Sequence, residues 1–230
     1  MGGSFDPVHI AHERVAMQVS VLLNQPVYLL PTSQSPFKDR CCASDKHRLN
    51  MLQLVADAAH IAIETYELQQ TGVHYTADTV RYFLAKAILP VFIVGWDAFA
   101  SLSRWREFDF IRARAAWIVV QRHATDLVLE EALRSWWHAR RELSSASLPT
   151  IKGGDLFECH MPLQNVSSTQ VRAKLQATKT SNTAEPAPVL ANETMSESSL
   201  QFQSELNPRV LAYIQEHGLY HQTCGLDPSE

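Results

Sequence analysis

The stretch MGGSFDPVHIAH, Met1–His12, decides how the rest of the chain is read. Gly2 and Gly3 let a backbone approach a phosphate closely, and the amides that open a following helix attract negative charge. In an open α/β protein a turn of this kind follows a buried first strand beside the ligand crevice. Here only Met1 precedes it. The sequence therefore predicts that further residues, ending in an apolar β-run, stand before Met1 and that the central first strand is missing from residues 1–230. Such a strand would bury about three large apolar side chains at ~1.5–3 kcal/mol each, so the chain as it stands is expected to fold poorly. His9 and His12 lie three residues apart and can share one side of a helix. They fit a zinc pair, a pair of polar core residues, or the lining of a phosphate pocket. A catalytic zinc needs a third protein ligand, and the sequence has no H-E-x-x-H. The glycines next to them favour the phosphate pocket.

Working outward, strand-like and helix-like segments alternate. Residues 9–24 carry apolar side chains at helical spacing, and PVYLLP (26–31) is a short apolar run bracketed by prolines. A helix follows over 44–60, opened by Ser44 and Asp45, then a strand over IAIETYEL (61–68) and an amphipathic helix from Tyr75. VFIVG (91–95) and AAWIVVQ (115–121) read as buried strands, 126–142 as a helix, and 156–161 as a last strand. This alternation predicts a doubly wound α/β fold with a mostly parallel sheet covered on both faces. Residues 1–176 are read as the main domain. Residues 177–205, rich in Ser, Thr, Ala, Glu and Pro and poor in aromatics, are read as a flexible insert. Order returns over 206–221, where Asn207 caps a helix, Pro208 sits in its first turn and Gly218 stops it.

Composition narrows the function. A hydrophobic fraction of 46% and a charged fraction of 19% are those of a globular protein. A net charge of −4 gives no general attraction to nucleic acid or anionic membrane, so an anion site must be built locally. No signal peptide is visible, and the most apolar stretch is broken by Pro90, Gly95 and Asp97, against a membrane span. Cys41, Cys42, Cys159 and Cys224 form no C-x-x-C pair and suggest no disulfide framework, which predicts a reducing, cytoplasmic setting.

Two further clusters carry chemistry. Gly95 ends a β-run, placing Asp97 at a strand's carboxyl end where it can receive ribose or base, or simply cap the next helix. Trp105 can be a stacking platform for a flat ring or a core residue. In SSTQVRAKL (167–175), Ser168 and Thr169 open a helix and Arg172 lies one turn later. This is a phosphate clamp or an ordinary helix cap with a solvated arginine.

Taken together and in order, G-G-S-F-D-P-V-H-x-x-H, then G-x-D-x-x-x-x-L-x-x-W from Gly95 to Trp105, then S-S-T-x-x-R resemble the nucleotidyltransferase superfamily. Within it they resemble the nicotinate-nucleotide adenylyltransferases of NAD biosynthesis. SPFKD resembles that family's P-P-H-K turn, ASDKHRLNMLQL its H-R-x-x-M-L helix, and YELQQTGVHYTADTV its E-L…S-Y-T-x-D-T-L segment. LNPRVLAYIQEHGLYH resembles its closing segment. Departures are Ala11 for a glycine, Gln70 for a basic residue, His74 for Ser, and Ser35 and Phe37 in the P-P-H-K turn.

The resemblance implies a Rossmann-like nucleotidyltransferase fold and adenylyl transfer from ATP to nicotinate mononucleotide, releasing pyrophosphate. It implies that Gly2, Gly3, Ser4, Phe5 and Gly95 bind ATP, with His9 and His12 on its phosphates. Ser168, Thr169 and Arg172 would grip the leaving pyrophosphate, and Lys38 would be a further phosphate partner. Asp97 would contact the mononucleotide, Trp105 would stack on its pyridine ring, and Tyr75, Thr76, Ala77 and Arg106 would receive its carboxylate. Mg²⁺ would travel with ATP, coordinated largely by phosphates and water. The alternatives are a nicotinamide-mononucleotide or phosphopantetheine adenylyltransferase and, more distantly, a nucleotide sensor without catalysis. The oligomeric state is not set by these residues.

Overall fold

A computed structural model describes residues 1–32, 41–56, 61–121, 129–162, 166–181, 202 and 204–221. In chain order the elements are β1 (Gly2–Gly3), α1 (Ile10–Leu23), β2 (Val27–Pro31), α2 (Asp45–Ala56), β3 (Ile61–Ile63), α3 (Thr76–Ala85), β4 (Val91–Gly95), α4 (Trp96–Ala100), α5 (Phe108–Arg114), β5 (Ala116–Gln121), α6 (Glu131–His138), β6 (Arg141–Glu142), β7 (Leu156–His160), α7 (Ser168–Ser181) and α8 (Pro208–Glu216). Every strand pair is parallel, in two sheets ordered β1-β2-β3 and β4-β5-β7-β6.

The strands sort their side chains by the two-residue period of the pleat. In β5, Ile118 and Val120 join the core formed with α1, α2, α7 and α8, while Trp117 and Val119 join a second core with α3, α5 and α6. Phe157 and Cys159 of β7 face the first core and Leu156 the second. A central strand covered by helices on both faces has no polar side to offer, which is why AWIVV is apolar without interruption. This is the doubly wound α/β architecture read from the sequence.

The first strand is short. Gly2 and Gly3 are themselves a strand, paired with Leu30 and Pro31 of β2. Leu30 N donates to the Met1 carbonyl at 2.9 Å and Thr32 N to that of Gly3 at 3.0 Å. The ladder covers only the last two of the five residues of β2, so it neither fills nor excludes the longer first strand expected from the sequence. β1 lies beside β4 but does not pair with it, so the sheet divides there.

Three expectations shift. The strand expected over 61–68 ends at Ile63. The Glu64 side chain accepts from Tyr66 N at 2.9 Å and the chain turns into a 3₁₀ segment over Tyr66–Gln69. The helix expected over 126–142 is α6 alone, and Arg141–Glu142 then pairs with β7 beside an Arg140–Glu158 ion pair of 2.5 Å; residues 122–128 lie outside the described part. Cys42 is disulfide-bonded, against the expectation of no disulfides, because bridging depends on Cα approach in space and not on sequence spacing.

Both ends of the 177–205 segment are structured. α7 continues to Ser181, Phe202 is buried, and Ile10 N donates to the Glu205 carbonyl. Residues 182–201 and 203 lie outside the described part. Among the described residues no helix is long and apolar enough to cross a membrane.

One glycine is required by close approach. A Cβ on Gly153 would lie 2.5 Å from the Ala113 carbonyl oxygen, where α5 meets the turn before β7. Gly153→Ala is therefore expected to destabilise the fold by about 1–3 kcal/mol through backbone displacement. Urea denaturation reads this directly; a midpoint equal to that of the unmodified chain would contradict it.

Candidate functional site

A cavity of about 610 Å³ opens where β1 meets β4, at the division of the sheet. Gly2, Gly3, Ser4 and His12 line one side, and Gly95, Asp97, Trp105, Arg106, Tyr75 and Thr76 the other. The structure thus brings together ten residues that the sequence singled out from three separate segments. Cβ atoms on Gly2 and Gly95 would meet nothing within 4 Å, so side chains there would take up open space at the cavity.

The first loop is shaped by steric contacts. Phe5 adopts a left-handed backbone (φ 48°), an uncommon conformation for a residue with a side chain. Its ring is buried, lies 3.2 Å from where a Gly3 Cβ would be, and presents to the His12 imidazole at 5.0 Å. Phe5 thus lies beneath the loop and is not among the lining residues. His9 is the N-cap residue of α1 and His12 sits in the first turn. The His9 amide donates to His12 Nδ1 at 3.3 Å, which places the proton of a neutral His12 on Nε2. The two rings stack at 3.7 Å. Only His12 lines the cavity; His9 is buried against it. His9 stands on extended backbone as the residue before α1, and its ring backs that of His12.

The start of α7 docks on this loop. Arg172 Nη1 donates to the Asp6 carbonyl at 2.6 Å, its Nη2 to Thr169 Oγ1 at 3.4 Å, and Ser168 Oγ to the Pro7 carbonyl at 3.0 Å. None of the three lines the cavity. They stand at its Gly-loop end, held by the backbone of Asp6 and Pro7. Lys38 falls outside the described residues.

Three residues that carry this arrangement were given no role by the sequence. The buried Asp6 carboxylate accepts from the amides of Cys42 at 2.8 Å and Ala43 at 3.0 Å and from the Tyr220 hydroxyl at 2.8 Å, with Arg172 at 3.8 Å. Burial and the Asp6 charge push the Tyr220 hydroxyl far above its ordinary pKa, so it remains a donor. Arg48, fully buried, donates to the Ser4 carbonyl at 2.5 Å, to that of Thr32 at 2.6 Å and to Asp45 at 2.7 Å. All three lie inside the segments that carry the family resemblance, which was the one available signal.

On the other side, the Arg106 guanidinium lies 4.6 Å over the Tyr75 ring, and Trp105 Nε1 donates to Ser101 Oγ at 3.3 Å. Trp105 meets Trp117 edge-on at 6.3 Å and is half-buried. Ala77 is buried under this wall and does not line the cavity. Behind Tyr75, Thr79 Oγ1 donates to Glu67 Oε1 at 2.6 Å and meets His74 Nε2 at 3.1 Å. Glu67 and His74 also line the cavity.

Burial raises the Glu67 pKa from 4.5 to about 7, against the Thr79 hydrogen bond and the Met1 amino group, which lower it. Because the folded value exceeds the unfolded one, the folded state binds more protons, and stability falls as pH rises from about 4.5 to about 7. Glu67→Gln is expected to remove this slope. Thermal melts from pH 5 to 8 should show the unmodified chain losing stability relative to the variant; parallel curves would contradict the assignment.

Comparisons with known proteins agree with this geometry. The family model described as cytidylyltransferase-like matches residues 1–174. The chain is 34% identical over 182 residues to the "Probable nicotinate-nucleotide adenylyltransferase" of Marinobacter nauticus, covering 76% of this chain and 84% of the relative. It is 32% identical over 226 residues to the protein of that name from Pseudomonas syringae pv. tomato, covering 96% and 91%. The chain belongs to the nicotinate-nucleotide adenylyltransferases of the cytidylyltransferase-like family. The fold of this family also appears in the solved nicotinic acid mononucleotide adenylyltransferase of Plasmodium falciparum complexed with NaAD, at a TM-score of 0.65 and 18% identity over 97% of each chain.

Proposed function

We propose that the protein transfers the adenylyl group of ATP to nicotinate mononucleotide, giving nicotinate adenine dinucleotide and pyrophosphate. The observation that carries this reading is the cavity with the Gly2–Ser4 backbone and His12 on one wall and Asp97, Trp105, Arg106 and Tyr75 on the other. The first wall suits phosphates, the second a flat ring bearing an anion. The curated relatives bear the name of this activity.

A phosphate monoester, with a second pKa of about 6, is mostly dianionic near neutral pH and needs no general base to attack the α-phosphorus. The chain's task is then in-line positioning and neutralisation of charge. We assign His12 Nε2–H to the oxygens that gain charge as the α–β bridge breaks. Ser168, Thr169 and Arg172 are assigned to the departing pyrophosphate at the Gly-loop end, and Lys38 to the same phosphates. His9 is assigned a supporting role, stacked on His12. Asp97 is assigned to the acceptor nucleotide, Trp105 to the pyridine ring, and the Tyr75–Thr76 backbone with Arg106 to the carboxylate. Among the described residues no group of three or more His, Cys, Asp or Glu side chains could hold a metal ion. Mg²⁺ is proposed to arrive as the ATP complex, held largely by phosphate oxygens and water.

The test is product formation. ATP, Mg²⁺ and nicotinate mononucleotide should give the dinucleotide and pyrophosphate in equal amounts. Trp105→Ala should raise KM for the mononucleotide about tenfold, since stacking of this kind contributes ~1–3 kcal/mol, and should leave KM for ATP little changed. No dinucleotide would overturn the reading, and a selective rise in KM for ATP would overturn the Trp105 assignment.

A further inference from the structure

Behind the acceptor wall stands a hydrogen-bonded chain of three side chains, two of which reach the cavity. Thr79 is fully buried and has a single hydroxyl proton, yet it is in hydrogen-bond contact with both Glu67 Oε1 and His74 Nε2. Two arrangements of protons satisfy it with a neutral His74 and no proton on Glu67 Oε2. With Glu67 ionised, Thr79 donates to the carboxylate and must accept from His74 Nε2–H. A neutral His74 then has a bare, accepting Nδ1. With Glu67 protonated on Oε1, that oxygen donates to Thr79, Thr79 donates to His74 Nε2, and the His74 proton sits on Nδ1. The proton on the buried Oε1 is thus coupled to whether a ring that lines the cavity presents a donor or an acceptor at Nδ1.

We propose that His74 is a specificity-determining residue of the acceptor subsite, donating Nδ1–H to the ring carboxylate of the mononucleotide with the Glu67–Thr79 chain in its protonated arrangement. This rests on the nicotinate mononucleotide reading above. A carboxylate can only accept, so it binds one arrangement and is repelled by the lone pair of the other. A carboxamide has both a donor and an acceptor and pairs with either. Discrimination therefore comes from the chain and not from a fixed cation alone. Where Glu67 is ionised beforehand, binding of the carboxylate takes up one proton from solvent at His74 Nδ1, the Nε2 proton passes to Thr79 Oγ1, and the Thr79 hydroxyl proton passes to Glu67 Oε1.

The surroundings suit this behaviour. Glu67 is only 5% exposed and its pKa of about 7 puts both arrangements within reach at neutral pH. Burial lowers the His74 pKa, so the ring supplies its donor by tautomer and not by charge. The other titratable or charged groups facing the chain are Asp78, which favours a protonated His74, the Met1 amino group, which favours an ionised Glu67, and Tyr66, whose ring meets His74 at 5.2 Å and stacks on Tyr82.

The test compares nicotinate and nicotinamide mononucleotides on the full chain, because they share the phosphate and its titration. For the unmodified protein, the affinity ratio in favour of the carboxylate should fall as pH rises from 6 to 8.5. Calorimetry in buffers of different ionisation enthalpy should show uptake of part of a proton above pH 7 with the carboxylate and none with the amide. His74→Ala should raise KM for nicotinate mononucleotide roughly tenfold or more, as expected for a lost charge-assisted hydrogen bond. KM for the amide should change little, kcat should be retained, and His74→Gln should recover part of the loss. A pH-independent ratio with no differential proton uptake would overturn the proposal, whether or not the variants fold. Equal KM changes for both mononucleotides in His74→Ala would do the same. If the unmodified chain turned over nicotinate mononucleotide in either case, the functional reading would stand and only the His74 proposal would fall. Failure of the unmodified chain to turn it over would remove both.

Discussion

His12→Ala should lower kcat by about 10²–10³-fold, the usual effect of removing one donor aimed at charge that develops in the transition state. The His9 amide fixes His12 Nδ1 as an acceptor, which leaves Nε2–H as the donor of a ring that lines the cavity. A contact that strengthens as the leaving oxygen gains charge lowers the barrier without tightening the ground state, so KM for ATP should move far less than kcat. The ring is only half-buried, and the edge contact with Phe5 is its smaller attachment, so the melting temperature should stay within a few degrees of the unmodified chain. Steady-state kinetics with a parallel melt would separate the two effects. Unchanged kcat would remove His12 from the phosphate site.

Asp6→Ala should be the most damaging single change to the fold. It strips the partners from the Cys42 and Ala43 amides and from the Tyr220 hydroxyl, and it takes the nearest carboxylate from Arg172. Each buried donor left without a partner costs ~1–3 kcal/mol, so the total is on the order of 3–5 kcal/mol. For a domain of this size that lowers Tm by roughly 10 °C or more. kcat should fall as well, because the same loop holds Ser168 through the Pro7 carbonyl and Arg172 through the Asp6 carbonyl. Tyr220→Phe removes one donor and leaves the rest, so it should cost only about 1 kcal/mol. Calorimetry of both variants would check the ordering; an Asp6→Ala melt equal to that of Tyr220→Phe would contradict it.

What the sequence revealed and what it hid follow one rule. Buried parallel strands such as AWIVV carry a signal in every residue, since both faces are covered, and β4, β5 and β7 were legible to within a residue. Gly2 and Gly3 carry no such signal, because their short strand is built from backbone alone and pairs only with the end of β2. β6 and the 3₁₀ turn at Tyr66–Gln69 were missed because one long-range pairing and one local side-chain bond decide them. At the site, residues with recognisable chemistry (His12, Asp97, Trp105) were found. Asp6, Arg48 and Tyr220 were not, because their work is to hold carbonyls and amides that lie far apart in the sequence. His74 was visible as a departure, but its partners Thr79 and Glu67 were not.

The central claim is that this cavity takes nicotinate mononucleotide as the acceptor for the adenylyl group of ATP. The most direct measurement is kcat/KM for nicotinate and nicotinamide mononucleotides with saturating ATP and Mg²⁺ at pH 7, followed by pyrophosphate release. The account predicts that the carboxylate is preferred at least tenfold, the scale of one charge-assisted hydrogen bond. Equal kcat/KM for the two, or preference for the amide, would contradict it.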